Sequence, residues 1–313
     1  MNNIAFIFPG QGSQIVGMGK DLYEQYDEAK KVYDIADKVL GYKISEICFN
    51  GPDEVLKETK NTQPAILTTS LACLEVMKSQ LDINPIAVAG HSLGEYGALY
   101  TANVLSLEDA IKITGKRAEL MNEAANNTKG SMAAVLGLTD NLVKDYISEL
   151  SADGVISVAN YNCPGQVVIT GEKHIIEKSI DFLKSKGAKR VIELAVSGAF
   201  HSELMKDAAN KFSEYVKNFN FKDASIPVYE NTDAMAVLSG KDLKNRVSKQ
   251  IYSSVRWTET IQNMVAKEIK IFIELGSGKV LAGLNKKINS EIKTYNVFDV
   301  TSLKSVVSEI KGE

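Results

Sequence analysis

Cysteine, histidine and tryptophan are scarce in this sequence, and their scarcity excludes several classes of chemistry. The 313 residues include 3 Cys, 3 His and 1 Trp. Cys48, Cys73 and Cys163 are odd in number and form no C-x-x-C pair, which argues against a disulfide framework and against a zinc site. We therefore expect no bound metal or other cofactor, and a reduced, cytoplasmic environment.

A surplus of positive charge and a long hydrophobic run are also missing. The net charge of -3 and the pI near 5.8 give no general attraction to nucleic acid. Met1–Asn3 lacks the basic segment of a signal peptide, and the apolar run Ile4–Phe8 is too short to span a bilayer. The weakly charged region 85–107 contains His91, Glu95 and several glycines, so we interpret it as buried core. We expect neither a nucleic acid partner nor a membrane association.

The remaining composition, 44% hydrophobic and 24% charged, is typical of a globular protein with a sizeable core. Its length exceeds one typical domain. Between residues 130 and 194 the pattern predicts the order β-α-β-β-α-β, which is typical of a ferredoxin-like unit. We predict an α/β fold: an α/β-hydrolase-like large subdomain with a mostly parallel sheet (1–128 and 197–313) and an inserted ferredoxin-like subdomain (129–196).

A predicted turn between a strand and a helix carries a candidate nucleophile. The apolar run Ile86–Ala89 predicts a buried strand, and helical spacing begins at Leu93. Between them the sequence Gly90-His91-Ser92-Leu93-Gly94 is a G-x-S-x-G motif, in which a strained turn exposes the serine hydroxyl. The amide of Leu93 begins a helix and is free to donate to an oxyanion.

Apolar periodicity predicts long helices over about 19–40, 106–125 and 203–219, with Ser106 as the N-cap of the second. Arg117 lies on the apolar face of that helix, four residues from both Ile113 and Met121. An arginine there is costly unless it is paired. Two partners remain open: a core carboxylate, or a substrate carboxylate in the serine cleft, which would contribute ~1.5–3 kcal/mol.

The loop Pro9–Gln14 follows the first predicted strand and contains two glycines. It is not a dinucleotide-binding loop, because the third glycine of that motif would fall at Ile15. The amide of Gln11 is a candidate second oxyanion donor. The alternative is a glycine turn that only caps a helix.

A serine nucleophile needs a base, and three histidines are available. His91 adjoins Ser92, where consecutive side chains diverge, and His174 begins a polar, solvent-facing helix. His201 lies in a loop of small residues that leads into a helix, so elimination favours it as the base.

Three further polar features have ordinary explanations. The turn Asn160–Gly165 could touch a ligand, but such turns are common. Gly276–Lys279 lacks the spacing of a phosphate-binding loop. Lys189-Arg190 and Lys286-Lys287 are basic pairs, most of which are simply solvated.

Six motifs together closely resemble those of malonyl-CoA:acyl carrier protein transacylases. They are G-Q-G-S-Q at 10–14, G-H-S-L-G-E at 90–95, K-R at 116–117, N-x-N-x-P-G-Q at 160–166, G-A-F-H at 198–201 and Q-x-Y at 250–252. The resemblance extends from Phe8 to Leu284. Acyltransferase domains of polyketide and fatty acid synthases share the pattern, but we expect a free-standing enzyme of fatty acid synthesis.

The resemblance implies a ping-pong acyl transfer through a malonyl-serine. Ser92, activated by His201, attacks the thioester, and the amides of Gln11 and Leu93 hold the oxyanion. The histidine is oriented by a backbone carbonyl that corresponds to Gln250.

The resemblance also implies the substrates and their contacts. These are malonyl-CoA and phosphopantetheinylated acyl carrier protein, which presents an acidic helix in relatives. Arg117 would pair with the malonyl carboxylate, and Phe200 would exclude an α-methyl group. The substrate-binding set is completed by Asn162, Met121 and His91. Candidate docking residues for the carrier are Lys189, Arg190, Lys286 and Lys287. We expect a monomer.

Three other functions have to be weighed. A serine hydrolase or patatin-like lipase would share the serine turn, but the only Asp-Gly pair, Asp153-Gly154, lies in a polar turn. A catalytically idle scaffold predicts a broken Ser92, His201 or Arg117, and all three are intact. Malonyl transfer in malonate decarboxylation or in a polyketide pathway would use the same chemistry with another carrier.

Overall fold

The structure is a computed structural model that describes residues 3–196 and 198–312. Ser197, at which the predicted second segment of the large subdomain begins, lies outside the described residues. Up to residue 128 the elements are β1 (Ile4–Phe8), α1 (Lys20–Gln25), α2 (Asp27–Leu40), α3 (Ile44–Asn50), α4 (Asp53–Lys57), α5 (Thr59–Gln80), β2 (Ala87–Gly90), α6 (Glu95–Thr101) and α7 (Leu107–Asn127).

The next six elements, from residue 130 to residue 193, form the smaller sheet and its helices. After them, helices and strands alternate to the end of the last helix at Lys311. The first group is β3 (Gly130–Leu136), α8 (Asp140–Leu150), β4 (Ile156–Cys163), β5 (Gln166–Glu172), α9 (Lys173–Ser185) and β6 (Arg190–Glu193). The rest is α10 (Lys206–Val216), β7 (Val228–Tyr229), β8 (Ala236–Val237), α11 (Gly240–Gln250), α12 (Trp257–Val265), β9 (Ile271–Leu275), α13 (Val280–Ile288), β10 (Lys293–Val297) and α14 (Val300–Lys311).

The larger sheet has six strands in the order β10-β9-β1-β2-β7-β8. All neighbouring pairs are parallel except β7 and β8. Strand β1 is buried along its whole length, as its continuous apolar sequence predicts for a strand covered on both faces. Because β1 and β2 run in parallel, the loops after Phe8 and after Gly90 meet at the same edge of the sheet.

The smaller sheet is antiparallel, with the order β4-β5-β3-β6. Its elements follow one another as β-α-β-β-α-β. The prediction of a mixed α/β fold with a mostly parallel sheet is confirmed, and a small antiparallel sheet accompanies it.

A backbone bridge joins the smaller sheet to the loop after α11. The amide of Tyr161 donates to Val255 O at 2.9 Å, and the amide of Val255 donates to Ala159 O at 2.8 Å. The loop after α11 is therefore held by a strand of the other sheet.

The helix that carries Arg117 begins as predicted. The Ser106 side chain accepts a hydrogen bond from the Asp109 amide, which caps α7. Helix α7 packs against α5. Helix α5 carries few charges and is buried on nearly every side.

Two predicted helices are wrong in their continuity. The helix predicted over 19–40 breaks at Tyr26, which is extended (φ -129°, ψ 127°) and packs against the core, so tertiary packing overrides the local pattern. The helix predicted over 203–219 begins as a 3-10 turn at Glu203–Met205, because the Ser202 hydroxyl accepts from the Leu204 amide. Helices α3 and α4 were not predicted.

Within residues 3–196 and 198–312, no helix is long and apolar enough to cross a bilayer. The same residues contain no group of three or more His, Cys, Asp or Glu side chains with the geometry of a metal site.

Position 94 requires glycine because the serine turn lies against the backbone at the end of β1. A Cβ at Gly94 would lie 2.2 Å from the carbonyl oxygen of Phe8, which is backbone and cannot move aside cheaply. We expect Gly94→Ala to lower the free energy of unfolding by about 2–3 kcal/mol, measured by urea denaturation.

Gly283→Ala is the matched control, since a Cβ there meets no atom within 4 Å on helix α13. It should raise the free energy of unfolding by ~0.5–1 kcal/mol through helix propensity. Equal effects of the two substitutions would contradict the close approach at Gly94.

Candidate active site

Ser92 occupies the strained position that its motif predicts. Strand β2 ends at Gly90, and Ser92 has φ 51°, in the left-handed region that few non-glycine residues adopt. Its own amide donates to Asn231 Oδ1 at 2.7 Å. The Ser92 amide is therefore committed to the scaffold, and an oxyanion would have to use neighbouring donors.

His201 lies directly beside this hydroxyl, with 2.8 Å between its Nε2 and Ser92 Oγ. Its Nδ1 is 2.9 Å from Gln250 O and 3.0 Å from Ser253 O. Because carbonyl oxygens only accept, the ring proton is on Nδ1, and Nε2 is left to accept the serine proton. His201 is itself left-handed, with φ 59°, so the loop holds its ring in a strained conformation.

The imidazole is neutral at physiological pH. Burial, together with the positive charge of Arg117, lowers the pKa of His201 to about 3, against the opposing hydrogen bond to Gln250 O. His201 is therefore suited to accept a proton, because its imidazole does not already carry one on Nε2.

Arg117 is 1% exposed and reaches the serine from helix α7. Its Nη2 donates to Ser92 Oγ at 3.0 Å and to Gln250 Oε1 at 2.8 Å, and its Nη1 donates to Gln63 Oε1 at 2.5 Å. The Nε atom has no partner, and Arg117 makes no salt bridge with any residue that the structure describes. Burial lowers the pKa of this guanidinium. The sequence left two partners open for Arg117, a core carboxylate or a substrate carboxylate. No carboxylate of the described residues forms an ion pair with it.

These groups border a cavity of about 90 Å³. Most of the predicted site residues line it: Gln11, His91, Ser92, Leu93, Arg117, Met121, Phe200 and His201. Its walls carry a serine hydroxyl, a neutral imidazole, a guanidinium and apolar side chains. This arrangement suits the capture of a small acyl group that ends in an anion.

An outer cleft of about 450 Å³ adjoins this cavity and shares Gln11 and His91 with it. Asn162 lies there and not in the inner cavity; its Oδ1 is 2.9 Å from His91 Nε2. Burial lowers the pKa of His91, so this ring is neutral as well. Gln250 is behind the inner cavity, where its carbonyl contacts His201 and its side chain contacts Arg117.

The two basic pairs are exposed. The Nζ of Lys287 donates to Gln166 Oε1 at 3.2 Å, and Gln166 lines the outer cleft. Lys286 is the preceding residue on α13. Lys189 and Arg190 lie at the start of β6, whose far end leads to Leu194 in both cavities.

Three polar residues at the site escaped sequence reasoning. Gln63 is buried in α5 and contacts Arg117. Asn231 follows β7 and holds the Ser92 amide. Glu95 is a fully buried carboxyl at the start of α6. Polar residues inside apolar stretches were the available signal for Gln63 and Glu95, whereas Asn231 had none.

Comparison with known proteins places this geometry among acyl transferases. The family model described as "Acyl transferase domain" matches residues 5–302. The chain is 46% identical over 314 residues to the malonyl CoA-acyl carrier protein transacylase of Bacillus subtilis (strain 168), covering 100% of this chain and 99% of that protein.

Solved structures agree with this assignment. An acyl carrier protein S-malonyltransferase from Vibrio cholerae is similar with a TM-score of 0.94 at 40% identity, over 97% of this chain and 100% of that one. A malonyl-transacylase in complex with its type II PKS acyl-carrier protein is similar with a TM-score of 0.95 at 36% identity, over 98% of this chain and 100% of that one.

The low pKa of His201 predicts an unusual pH dependence for Ser92. We expect modification of Ser92 by phenylmethanesulfonyl fluoride, followed by intact-protein mass, to vary by less than ~twofold between about pH 8 and pH 5, because the base stays neutral. A base with an ordinary pKa near 6.5 would instead slow about 30-fold at pH 5. His201→Ala should be slow at every pH, and an inflection near pH 6.5 in the wild type would contradict the assignment of His201 as a buried neutral base.

Proposed function

We propose a function from one premise: the chain belongs to the family of malonyl CoA-acyl carrier protein transacylases. The protein transfers the malonyl group from malonyl-CoA to the phosphopantetheine thiol of acyl carrier protein, and so supplies the extender unit of fatty acid synthesis. The observation that carries this proposal is the buried guanidinium of Arg117, which contacts Ser92 Oγ and has no carboxylate partner among the described residues. An acyl group with a free carboxylate would supply that partner.

The first half-reaction forms a malonyl-serine. Ser92 Oγ attacks the thioester carbonyl while His201 Nε2 accepts the hydroxyl proton, a transfer that their 2.8 Å separation supports. The negative charge moves to the carbonyl oxygen, which the amides of Gln11 and Leu93 stabilise. Collapse breaks the carbon–sulfur bond, and the thiolate of coenzyme A leaves with the proton from His201. Loss of one oxyanion donor typically costs ~10²–10³ in rate.

The second half-reaction reverses the roles with another thiol. His201 accepts the proton of the phosphopantetheine thiol, and the sulfur attacks the malonyl-serine carbonyl. Collapse then breaks the ester bond, and Ser92 recovers its proton from His201. The kinetic consequence is a ping-pong mechanism in which coenzyme A leaves before the carrier binds.

Arg117 can hold the acyl group through both steps. In the free protein, its Nη2 donates to Ser92 Oγ. Once that oxygen is esterified, it is a weaker acceptor, and the guanidinium fork is free to take the malonyl carboxylate with two parallel hydrogen bonds. The cation thus binds the end of the substrate that does not react.

Apolar and polar walls divide the remaining substrate contacts. Phe200 and Met121 border the inner cavity, where a bulky ring would disfavour an α-methyl group by ~1–3 kcal/mol. His91 and Asn162 border the outer cleft, where we assign them to the thioester arm.

The architecture suggests how this site is assembled. We assign residues 1–128 and 197–313 to an α/β-hydrolase-like large subdomain and residues 129–196 to an inserted ferredoxin-like subdomain. The strand order β4-β5-β3-β6 supports the second assignment. The enzyme would act as a cytoplasmic monomer, with the substrate held between the two subdomains.

Acylation of Ser92 tests the mechanism directly. After brief mixing with malonyl-CoA, intact-protein mass should show a malonyl adduct on the wild type and none on Ser92→Ala. Arg117→Ala should slow malonyl adduct formation by ~10–10²-fold and affect acetyl-CoA far less, because acetyl has no carboxylate to pair. Holo acyl carrier protein should discharge the adduct.

Two outcomes would contradict the proposal. Release of free malonate without an adduct on the wild type would indicate a hydrolase that admits water. An unchanged malonyl preference in Arg117→Ala would remove the arginine from substrate binding.

Carrier docking is proposed at the two basic pairs, which would face the acidic carrier. Lys286→Glu/Lys287→Glu and Lys189→Glu/Arg190→Glu should each raise the KM for acyl carrier protein by about tenfold, because like charges would then meet. Steady-state transfer assays at low and high salt would measure this, and acylation by malonyl-CoA alone should be unchanged in Lys286→Glu/Lys287→Glu.

Lys304→Glu/Lys311→Glu, a paired exposed change on α14 that alters the net charge as much as either docking pair, is the control for net charge. If it raised the KM as much as the docking-pair substitutions, the effect would be one of overall charge and the assigned surface would be wrong.

A further inference from the structure

Glu95 is a buried carboxyl beside the serine turn that the proposed mechanism does not use. It begins helix α6, three residues after Ser92, and is 1% exposed. A carboxyl is rarely buried to this extent unless its oxygens are hydrogen-bonded, and its bonding partners therefore indicate what it does.

One oxygen of Glu95 collects two donors from distant parts of the chain. Its Oε2 accepts from the Asn231 amide at 3.0 Å and from Gln250 Nε2 at 3.0 Å. Its Oε1 has no partner among the described residues. The carboxyl thus ties the ends of β7 and α11 to the serine turn.

The contact with Gln250 determines which way the amide of that side chain points. Gln250 Nε2 lies between two acceptors, Glu95 Oε2 at 3.0 Å and Ser92 O at 2.9 Å. Rotation of the amide by 180° would bring its oxygen against both of them, which is repulsive. The observed orientation turns Oε1 toward Arg117 Nη2, 2.8 Å away.

Glu95 is therefore linked to Arg117 without touching it. A direct ion pair would neutralise the guanidinium and take up two of the N–H donors that an incoming anion could use. The side-chain amide of Gln250 instead offers Arg117 one neutral acceptor and fixes the position of its guanidinium. Burial, and the neighbouring charge of Glu230, raise the pKa of Glu95 to about 8, and a proton on Oε1 would leave Oε2 free to accept both bonds.

A second branch runs from Glu95 to the nucleophile. Asn231, whose amide donates to Glu95, accepts from the Ser92 amide at 2.7 Å and donates from Nδ2 to Gly90 O at 2.7 Å. This branch acts on the serine turn alone and would affect every acyl donor equally. The branch through Gln250 also contacts Ser92 O, but it is the one that reaches Arg117, so it can change the ratio between donors that use Arg117 and donors that do not.

We propose that Glu95 is a positioning residue for substrate selection: it orients the amide of Gln250, which in turn holds the Arg117 guanidinium for the carboxylate of the acyl donor. The inference rests on the proposed function, because it assumes that Arg117 binds malonyl. It separates Glu95 from the catalytic residues, since Glu95 touches neither the substrate nor the reacting atoms.

The test compares two acyl donors so that damage to the serine turn cancels. The initial rates of Ser92 acylation by malonyl-CoA and by acetyl-CoA are measured by rapid mixing and intact-protein mass, and their ratio is taken. Glu95→Met removes the acceptor and should lower the malonyl-to-acetyl ratio by about tenfold, the loss typical of one hydrogen bond to a charged group. Glu95→Gln keeps an acceptor oxygen and should hold the ratio within ~threefold.

Glu274→Gln is the matched control for the loss of a buried carboxyl. Glu274 is fully buried and accepts from the amides of Leu281 and Ala282, away from Arg117. It should leave the ratio unchanged even if it lowers the melting temperature. Should Glu95→Met fail to fold, Glu95→Ala removes the same acceptor with a smaller side chain, and circular dichroism checks each variant.

Combination with Gln250→Met tests the path itself. Gln250→Met alone should lower the ratio about tenfold, and adding Glu95→Met should lower it no further, because both changes break one relay. A further loss equal to that of the single substitution would overturn the relay.

The outcomes separate this inference from the function on which it rests. If the wild type shows no malonyl preference that depends on Arg117, the proposed function fails. If it shows that preference and Glu95→Met keeps the wild-type ratio, only the positioning role of Glu95 is overturned. Failure of Glu95→Gln to retain the ratio would overturn the role assigned to the acceptor oxygen of Glu95.

Discussion

A buried positive charge that makes no ion-pair contact with any described residue is the constraint on which the site depends. Arg117 lies in the interior, where an unpaired cation is costly, and its donors are met by neutral oxygens of Gln63, Ser92 and Gln250. Such a network stabilises the guanidinium without neutralising it. The protein thereby retains a strong field next to the Ser92 hydroxyl, and burial together with this field keeps His201 neutral.

Gln250 connects this field to the proposed catalytic pair. Its backbone carbonyl accepts from His201 Nδ1, and its side chain lies between Arg117 and Glu95. One residue at the end of α11 thus sets both the tautomer of the proposed base and the position of the cation. A backbone carbonyl orients the histidine as a carboxylate does in many hydrolases, and it does so without placing a negative charge beside the proposed acyl-binding end of the cavity.

Local patterns predicted much of the fold, and long-range contacts account for the rest. The order β-α-β-β-α-β between residues 130 and 194 agrees with the prediction, and the serine turn was recognisable because its strand, motif and helix are contiguous. The break at Tyr26 could not be predicted, since it depends on packing against distant residues. Asn231 and Glu95 were missed for the same reason: their contacts join positions 136 residues apart, and no spacing rule covers that separation.

The bridge between Val255 and strand β4 has a consequence for protein engineering. Two backbone hydrogen bonds fasten the smaller sheet to the loop that presents the carbonyl of Ser253 to His201. Exchange of residues 129–196 for the equivalent segment of a relative would therefore change both the lining of the outer cleft and the position of the loop that contacts His201. Any chimaera has to reproduce the path of β4 at Ala159 and Tyr161, because a shift of one residue there reverses the strand face and moves the loop that holds the imidazole.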